Sequence, residues 1–124
     1  MPNENDETLE LGLRYDAQGL IPAIVVHHTD NAVLMFAHMN AEAFAKTQRT
    51  GILHFYSRSR AKLWMKGETS GETFEVVEML VDCDQDVLLV RVKPQGKGNA
   101  CHTGRRSCFY REIKDKALVF KNLA

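Results

Sequence analysis

The sequence contains little that would suit a secreted or membrane protein. It has only three cysteines in 124 residues, and an odd number in a chain of this kind argues against a framework of disulfides. The first ten residues, MPNENDETLE, are acidic where a signal peptide is basic, and no later apolar run is long enough to span a bilayer. We therefore expect a cytoplasmic protein without a membrane partner, whose cysteines are free thiols or metal ligands.

The chain also has no excess of charge of either sign. Sixteen lysines and arginines balance sixteen aspartates and glutamates, so the molecule has no overall field that would attract a nucleic acid. Any phosphate must therefore be bound by a local group of cations. The length suits a single domain, residues 1–124, in which we expect residues 1–10 to be mobile.

What the sequence does contain is a series of short apolar runs that are typical of β-strands. These runs cover residues 20–29, 32–39, 52–57, 74–81 and 87–92, and weaker stretches follow at 109–113 and 117–120. Asp30 and Asn31 are placed for a hairpin turn between the first two runs. Residues 66–72, KGETSGE, have the glycines of a turn.

One helix is predicted between the second and third runs. Asn40 suits an N-cap, Glu42 lies in the first turn, and Gly51 can end the helix in the left-handed conformation. The helix would cover residues 41–50. We predict an α+β protein, mostly β, with a single curved mixed sheet or a partial barrel that is capped by this short helix.

The segment DCDQD, residues 82–86, offers two kinds of metal ligand. In an extended chain Asp82, Asp84 and Asp86 would lie on one face and Cys83 on the other. Hard cations such as Mg²⁺ take carboxylate oxygens, whereas thiolates prefer zinc. The segment therefore indicates either two metal sites or simply an acidic turn in which Cys83 is a small buried residue.

The segment ACHTGRRSC contains the other two cysteines, Cys101 and Cys108. Their spacing is wider than that of a zinc knuckle, so ordinary thiols in a flexible loop are an alternative. Together with Cys83 they would provide the three protein ligands that a catalytic zinc commonly has. His102 is adjacent to Cys101 and poorly placed to bind the same ion, which leaves it as a candidate general acid or base.

Cations and hydroxyls that could bind phosphate occur in two places. Alternation along a strand would place Arg58, Arg60 and Lys62 on one face. The guanidinium groups of arginines and side-chain hydroxyls commonly bind phosphate. The alternative is a solvated strand edge. The residues predicted to bind phosphate are Ser57, Arg58, Ser59, Arg60, Arg105 and Arg106. Trp64 could stack on a base, although a place in the core is its more common role.

Four segments together resemble the phosphoribosyl-AMP cyclohydrolase family of histidine biosynthesis. They are LMFAHMNAEA (34–43), TGILHFYSRSRAKLWMKGETSG (50–71), DCDQD (82–86) and ACHTGRRSCFYR (100–111). The resemblance implies hydrolytic opening of the adenine ring of 1-(5-phosphoribosyl)-AMP between N1 and C6. It also implies a homodimer with one Zn²⁺ and one Mg²⁺ per subunit, in which the zinc site is completed across the subunit interface.

Carried onto this sequence, the resemblance assigns zinc to Cys83, Cys101 and Cys108, and magnesium to Asp82, Asp84 and Asp86. Phe74 stands where the family often has glutamine, and the loop GKGNA (96–100) is longer than the usual one. Because the sequence ends at residue 124, without a fused pyrophosphatase domain, we expect the monofunctional form.

A small zinc-dependent module that binds nucleic acid is the alternative function. The basic clusters SRSR and GRR suggest it. The neutral net charge and the three aspartates around Cys83 argue against it, because they would not favour a phosphate backbone.

Overall fold

A computed structural model describes residues 7–121 of the chain. In chain order its elements are β1 (Ile21–His27), β2 (Val33–Met39), α1 (Ala41–Thr50), β3 (His54–Ser57), β4 (Lys62–Met65), β5 (Phe74–Val81), β6 (Leu88–Pro94), β7 (Arg111–Lys114) and β8 (Ala117–Phe120). The prediction of a mostly β protein with one short helix is confirmed.

Four strands form the main sheet, in the order β2-β1-β6-β5. The sheet is mixed, because β1 is antiparallel to β2 but parallel to β6, while β5 is antiparallel to β6. The predicted turn between β1 and β2 is present. Asn31 is left-handed with φ 59°, and Asp30 Oδ1 accepts a hydrogen bond from Ala32 N–H at 3.0 Å. The sheet does not close into a barrel within the described residues.

The helix begins and ends at the predicted residues. Asn40 Oδ1 accepts from Ala43 N–H at 2.8 Å, and Gly51, with φ 74°, donates its N–H to Thr47 O at 2.9 Å. The buried Thr47 hydroxyl also accepts from His54 N–H at 3.0 Å, which fixes the start of β3 against the helix. No helix in the described part of the chain is long and apolar enough to cross a membrane.

One face of the main sheet is packed in the core. Ile21, Ala23 and Val25 alternate along β1 and are fully buried, together with Val90 and Val92 of β6. This alternation follows from the two-residue period of a strand. The helix and the β3–β4 hairpin lie over this face, with Phe55 of β3 and Phe74 of β5 in the same cluster.

The opposite face of the sheet carries an apolar row that is partly open to solvent. Cross-strand neighbours form it, because Phe36 pairs with Ile24, Ile24 lies beside Leu89, and Leu89 pairs with Leu80. Phe36 and Leu80 are 48% and 43% exposed. We call these four residues the outer row.

Two hairpins lie outside the main sheet, and the sequence did not reveal the first of them. β4 pairs with β3, and residues 58–61 form the turn between them instead of continuing a strand. The expectation that Arg58, Arg60 and Lys62 share a strand face is therefore wrong. The turn has no glycine, and Ala61 adopts the left-handed conformation with φ 48°.

The second hairpin, β7–β8, is exposed along its whole length. It contains most of the two weak apolar stretches, including Ile113 and Phe120, which are 77% and 68% exposed. At the other end of the chain, the predicted mobile lead-in falls largely on residues 1–6, outside the described residues.

The capping bond of Asn40 leads to a prediction about stability. We expect Asn40→Ala to lower the free energy of unfolding by about 1 kcal/mol, because the N–H of Ala43 loses its acceptor. Asn40→Asp is the matched control, since it keeps an acceptor at the same place. Urea unfolding at fixed protein concentration measures both, and equal stability of the alanine variant and the wild type would contradict the prediction.

Candidate active site

A cleft of about 770 Å³ opens beside the β3–β4 hairpin. Its walls come from the hairpin itself, from the turn at 66–72 and from residues 97–104. Of the residues predicted from the sequence, the structure brings five into its lining: Ser57, Ser59, Arg60, Cys101 and His102. His102 is exposed, so it can exchange protons with solvent or with a bound molecule.

The segment 100–108, which we call the cysteine loop, is a compact turn closed by its own backbone. Ala100 N–H donates to Arg106 O and Cys101 N–H donates to Arg105 O, both at 3.1 Å. Gly104, with φ 86°, donates to Cys101 O at 3.0 Å. The loop therefore has a defined shape and is not a flexible connection.

Backbone hydrogen bonds attach the end of this loop to β2. Cys108 N–H donates to Leu34 O at 2.7 Å, and the buried Ser107 hydroxyl donates to Val33 O at 2.7 Å. The same hydroxyl accepts from Phe109 N–H at 2.9 Å. Cys108 is thus held next to an edge strand of the main sheet.

The thiols of Cys101 and Cys108 interact directly. Burial disfavours the Cys101 thiolate, but hydrogen bonds from the Thr103 hydroxyl and N–H outweigh it, so the pKa of Cys101 is lowered. The Thr103 hydroxyl lies 3.1 Å from Cys101 Sγ. Cys108 is exposed as a residue, yet its thiol faces Cys101, and desolvation there raises its pKa to about 11. Two adjacent thiols of this kind fit a soft cation such as zinc.

Cys83 lies elsewhere. It is exposed in the turn that follows β5, so the alternative in which it is a small buried residue is wrong. β5 and β2 are opposite edges of the four-stranded sheet, roughly 14 Å or three strand spacings apart, with Cys83 after β5 and Cys108 beside β2. Among residues 7–121, the three cysteines of one chain do not converge on a common point.

The three aspartates do converge, but for a different reason from the predicted one. Residues 82–86 form a turn and not an extended strand, with Gln85 left-handed at φ 60° and Asp82 Oδ1 accepting from Asp86 N–H at 3.0 Å. One carboxylate oxygen from each aspartate lies within 4.8 Å of the others. Hydrogen bonds with Asp84 and then Asp82 raise the pKa of Asp86 to about 6. A hard divalent cation would fit this oxygen cluster.

Three arginines predicted to bind phosphate lie outside the lining of the cleft. Arg58 lies near His38, whose pKa is lowered by desolvation and by this arginine. The guanidinium of Arg105 lies over the rings of Tyr110 and Phe120, 4.8 and 4.9 Å from their centres. Arg106 Nη2 donates to both carboxylate oxygens of Asp30, at 3.0 and 3.2 Å, so it binds the cysteine loop to the β1–β2 turn. Their phosphate contacts remain predictions.

The structure adds cleft residues that sequence reasoning did not assign. Lys66 Nζ donates to Ala100 O at 2.6 Å and lies 5.4 Å from the ring centre of Phe74. Phe74 is fully buried, so its side chain is part of the core and not a polar substrate contact. Trp64 is half-buried against Phe55, with ring centres 5.0 Å apart, and also lines the cleft. Lys97, in the GKGNA loop, also lines the cleft. The glycines on both sides of it are the feature of the sequence that could have indicated a turn presenting this lysine.

Fold and site together define a small α+β enzyme whose cleft suits an anionic molecule and has a histidine and a cysteine thiol in its lining. The family model described as Phosphoribosyl-AMP cyclohydrolase matches residues 35–110. The chain belongs to this family.

Curated relatives agree with this assignment. The chain is 57% identical over 121 residues to the phosphoribosyl-AMP cyclohydrolase of Sphingopyxis alaskensis, covering 97% of this chain and 94% of that protein. It is 54% identical over 117 residues to the phosphoribosyl-AMP cyclohydrolase of a Chelativorans species, covering 91% and 84%. A Caulobacter relative with the same name is 56% identical over 106 residues, covering 86% and 79%. This membership favours an enzyme over a nucleic-acid-binding module.

The pairing of Arg106 with Asp30 leads to a second prediction. We expect Arg106→Gln and Asp30→Asn to shift the urea midpoint equally, and the double variant to shift it no further, because all three remove one interaction. KM measured on the same variants tests the phosphate contact predicted for Arg106, which a rise confined to Arg106→Gln would support. A double variant that shifts the midpoint by the sum of the two single shifts would contradict the pairing.

Proposed function

We propose that this chain hydrolyses the N1–C6 bond in the adenine ring of 1-(5-phosphoribosyl)-AMP. The product is the formimino-aminoimidazole carboxamide ribonucleotide intermediate of L-histidine biosynthesis. Besides family membership, the observation that carries the proposal is the presence of Cys101, His102 and several cations in the lining of one cleft.

The reaction needs a proton acceptor near C6. A ribose on N1 withdraws electrons from the ring, so C6 becomes electrophilic and water can add to it. A C6–O bond then forms, the N1–C6 bond breaks, a proton leaves the water and a proton reaches N1. His102 is exposed to the cleft beside Cys101 and is the group that we assign to this transfer, as a general base.

The thiols would hold zinc. When bound there, zinc would supply a Lewis acid that lowers the pKa of water. Cys101 and Cys108 would provide two of its thiolates, and the hydrogen bonds from Thr103 lower the pKa of Cys101 and so favour the thiolate that binds metal. Lys66 is close enough to both sulfurs to favour their charged forms.

Asp82, Asp84 and Asp86 would hold Mg²⁺, which neutralises their mutual repulsion and helps to orient a phosphate. We expect one tightly held zinc per chain and a weaker, exchangeable magnesium, because thiolates bind zinc more strongly than carboxylates bind Mg²⁺. The phosphates of the substrate would be shared among the predicted residues in the cleft, which are Ser57, Ser59 and Arg60.

The third zinc ligand would come from a second copy of the chain. Cys83 lies at the sheet edge opposite Cys108, and an exposed thiol at that position is available to a partner subunit. In a two-fold homodimer each site would take Cys83 from one chain and the cysteine loop from the other. The outer row and the exposed β7–β8 hairpin support this proposal, because both are apolar surfaces that a second copy would cover.

The role of His102 leads to a third prediction. We expect His102→Ala to retain zinc, measured by elemental analysis, and to lower turnover by about 10²–10⁴-fold, the usual contribution of a general base. The matched control is His28→Ala, because His28 does not line the cleft. Loss of zinc from the His102 variant would make this histidine a ligand and contradict the assignment.

The shared site leads to a fourth prediction. Cys83→Ala and Cys101→Ala chains should each be inactive alone, but unfolding and refolding them together should restore roughly a quarter of wild-type activity. With random pairing, half of the dimers are hybrids, and each hybrid has one intact site. If mass spectrometry shows that hybrids form and the mixture stays inactive, the three cysteines of a site do not come from two chains in this way.

A further inference from the structure

The cleft contains more cations than the acids of the same cleft neutralise. Arg60, Lys62, Lys66 and Lys97 line it, against the carboxylates of Glu68 and Glu72.

Within residues 7–121, no carboxylate lies within 4.0 Å of the charged nitrogens of these four cations. Two arginines outside the cleft do have such partners, since Arg106 pairs with Asp30 and Arg91 pairs with Glu78. A convergence of cations without acidic partners indicates an anionic ligand.

Lys97 is presented by a well-defined turn. Gln95 N–H donates to Thr73 O at 2.8 Å, and Gly98 N–H donates to Gln95 O at 3.2 Å. Gly96, with φ 63°, packs so closely on Glu72 that a Cβ atom would lie 3.2 Å from Glu72 Cγ. These contacts fix the backbone on both sides of Lys97, an exposed residue that lines the cleft.

Arg60 and Lys62 belong to a different wall. Arg60 lies in the turn of the β3–β4 hairpin, where its N–H donates to Ser57 Oγ at 3.3 Å, and Ser59 Oγ lies 3.4 Å from the same hydroxyl. Lys62 begins β4. This wall therefore combines two cations with two hydroxyls, whereas the Lys97 wall comes from the chain that leads into the cysteine loop.

We propose that the two walls bind two different phosphate groups of the substrate, Lys97 contacting one and the hairpin pair Arg60 and Lys62 contacting the other. The inference rests on the proposed function, because a substrate with a phosphate at each end is what two separated groups of cations would recognise. The reacting ring would then lie between the walls, where Cys101 and His102 line the cleft. Lys97 is thereby a binding residue, supplied by the loop that leads into Cys101.

The test uses two half-molecules that need no turnover, AMP and ribose 5-phosphate, titrated by calorimetry into the full chain. We expect Lys97→Met to weaken one of these probes by about 10–100-fold, the loss of one hydrogen bond to a charged group, and to leave the other within twofold. Arg60→Met should show the reverse pattern. Lys93→Met is the matched control, because Lys93 is an exposed lysine on β6 outside the cleft, and both probes should bind it as they bind the wild type.

Any other pattern overturns the inference. If both variants weaken the same probe, one phosphate is shared and the walls are not separate, and if Lys97→Met weakens neither, this lysine makes no phosphate contact. A wild-type protein that binds neither probe at millimolar concentration also overturns it. Failure of the proposed function is distinguishable, since it would appear as a wild-type protein that binds the probes but does not open the ring.

Discussion

The attachment of the cysteine loop to the edge of the main sheet is the constraint on which the site depends. An edge strand has unpaired backbone groups, and β2 uses two of its carbonyls, those of Val33 and Leu34, to accept from Ser107 and Cys108. The loop is thereby positioned by the sheet, through the backbone N–H of Cys108 and the side-chain hydroxyl of Ser107. Two adjacent thiols can then be held in a fixed relation without a disulfide, which leaves both free to bind a metal.

The position of the cleft follows from the parallel pairing of β1 and β6. A parallel pair needs a long connection between its strands, and here that connection contains α1, the β3–β4 hairpin and the 66–72 turn. These elements cover one face of the sheet, and the chain returns beside them after β6 through Lys97 to the cysteine loop. The cleft lies where the outgoing and returning parts of the chain meet, and Lys66, which donates to Ala100 O, joins the two.

The bounds of the helix could be predicted from the sequence, because a helix cap depends on only a few neighbouring residues. Asn40 and Gly51 end α1 at the predicted positions, since one supplies a side-chain acceptor and the other tolerates a left-handed backbone. The β3–β4 turn was not predicted, because it depends on the pairing of two strands and not on local signals. Nothing in RSRA marks a turn, and the left-handed Ala61 is held by strand pairing on both sides.

The candidate site was likewise predictable in part. The cysteines, His102 and the aspartates could be identified because their types and spacing indicate chemistry, but the convergence of the aspartates comes from a turn that alternation does not describe. The assignment of Arg106 to phosphate did not take account of Asp30, which pairs with it although it is distant in the sequence. The assignment of Arg105 did not take account of Tyr110, whose ring it covers. Lys97 was not assigned to the cleft, because the contacts that place its turn, Gln95 N–H with Thr73 O and Gly96 against Glu72, join residues that are distant in the sequence.

The order of the strands also determines when the chain can fold. Ala23 of β1 pairs with Leu88 of β6, so the centre of the sheet joins residues from the two ends of the domain, and closing so large a loop is the slow step for contacts of this kind. The β1–β2 hairpin, α1 and the β3–β4 hairpin need only local contacts and can form earlier. During synthesis β1 therefore lacks its central partner until β6 has left the ribosome. The cysteine loop comes after β6 in the chain, so it can attach to β2 only after every strand of the main sheet has been synthesised.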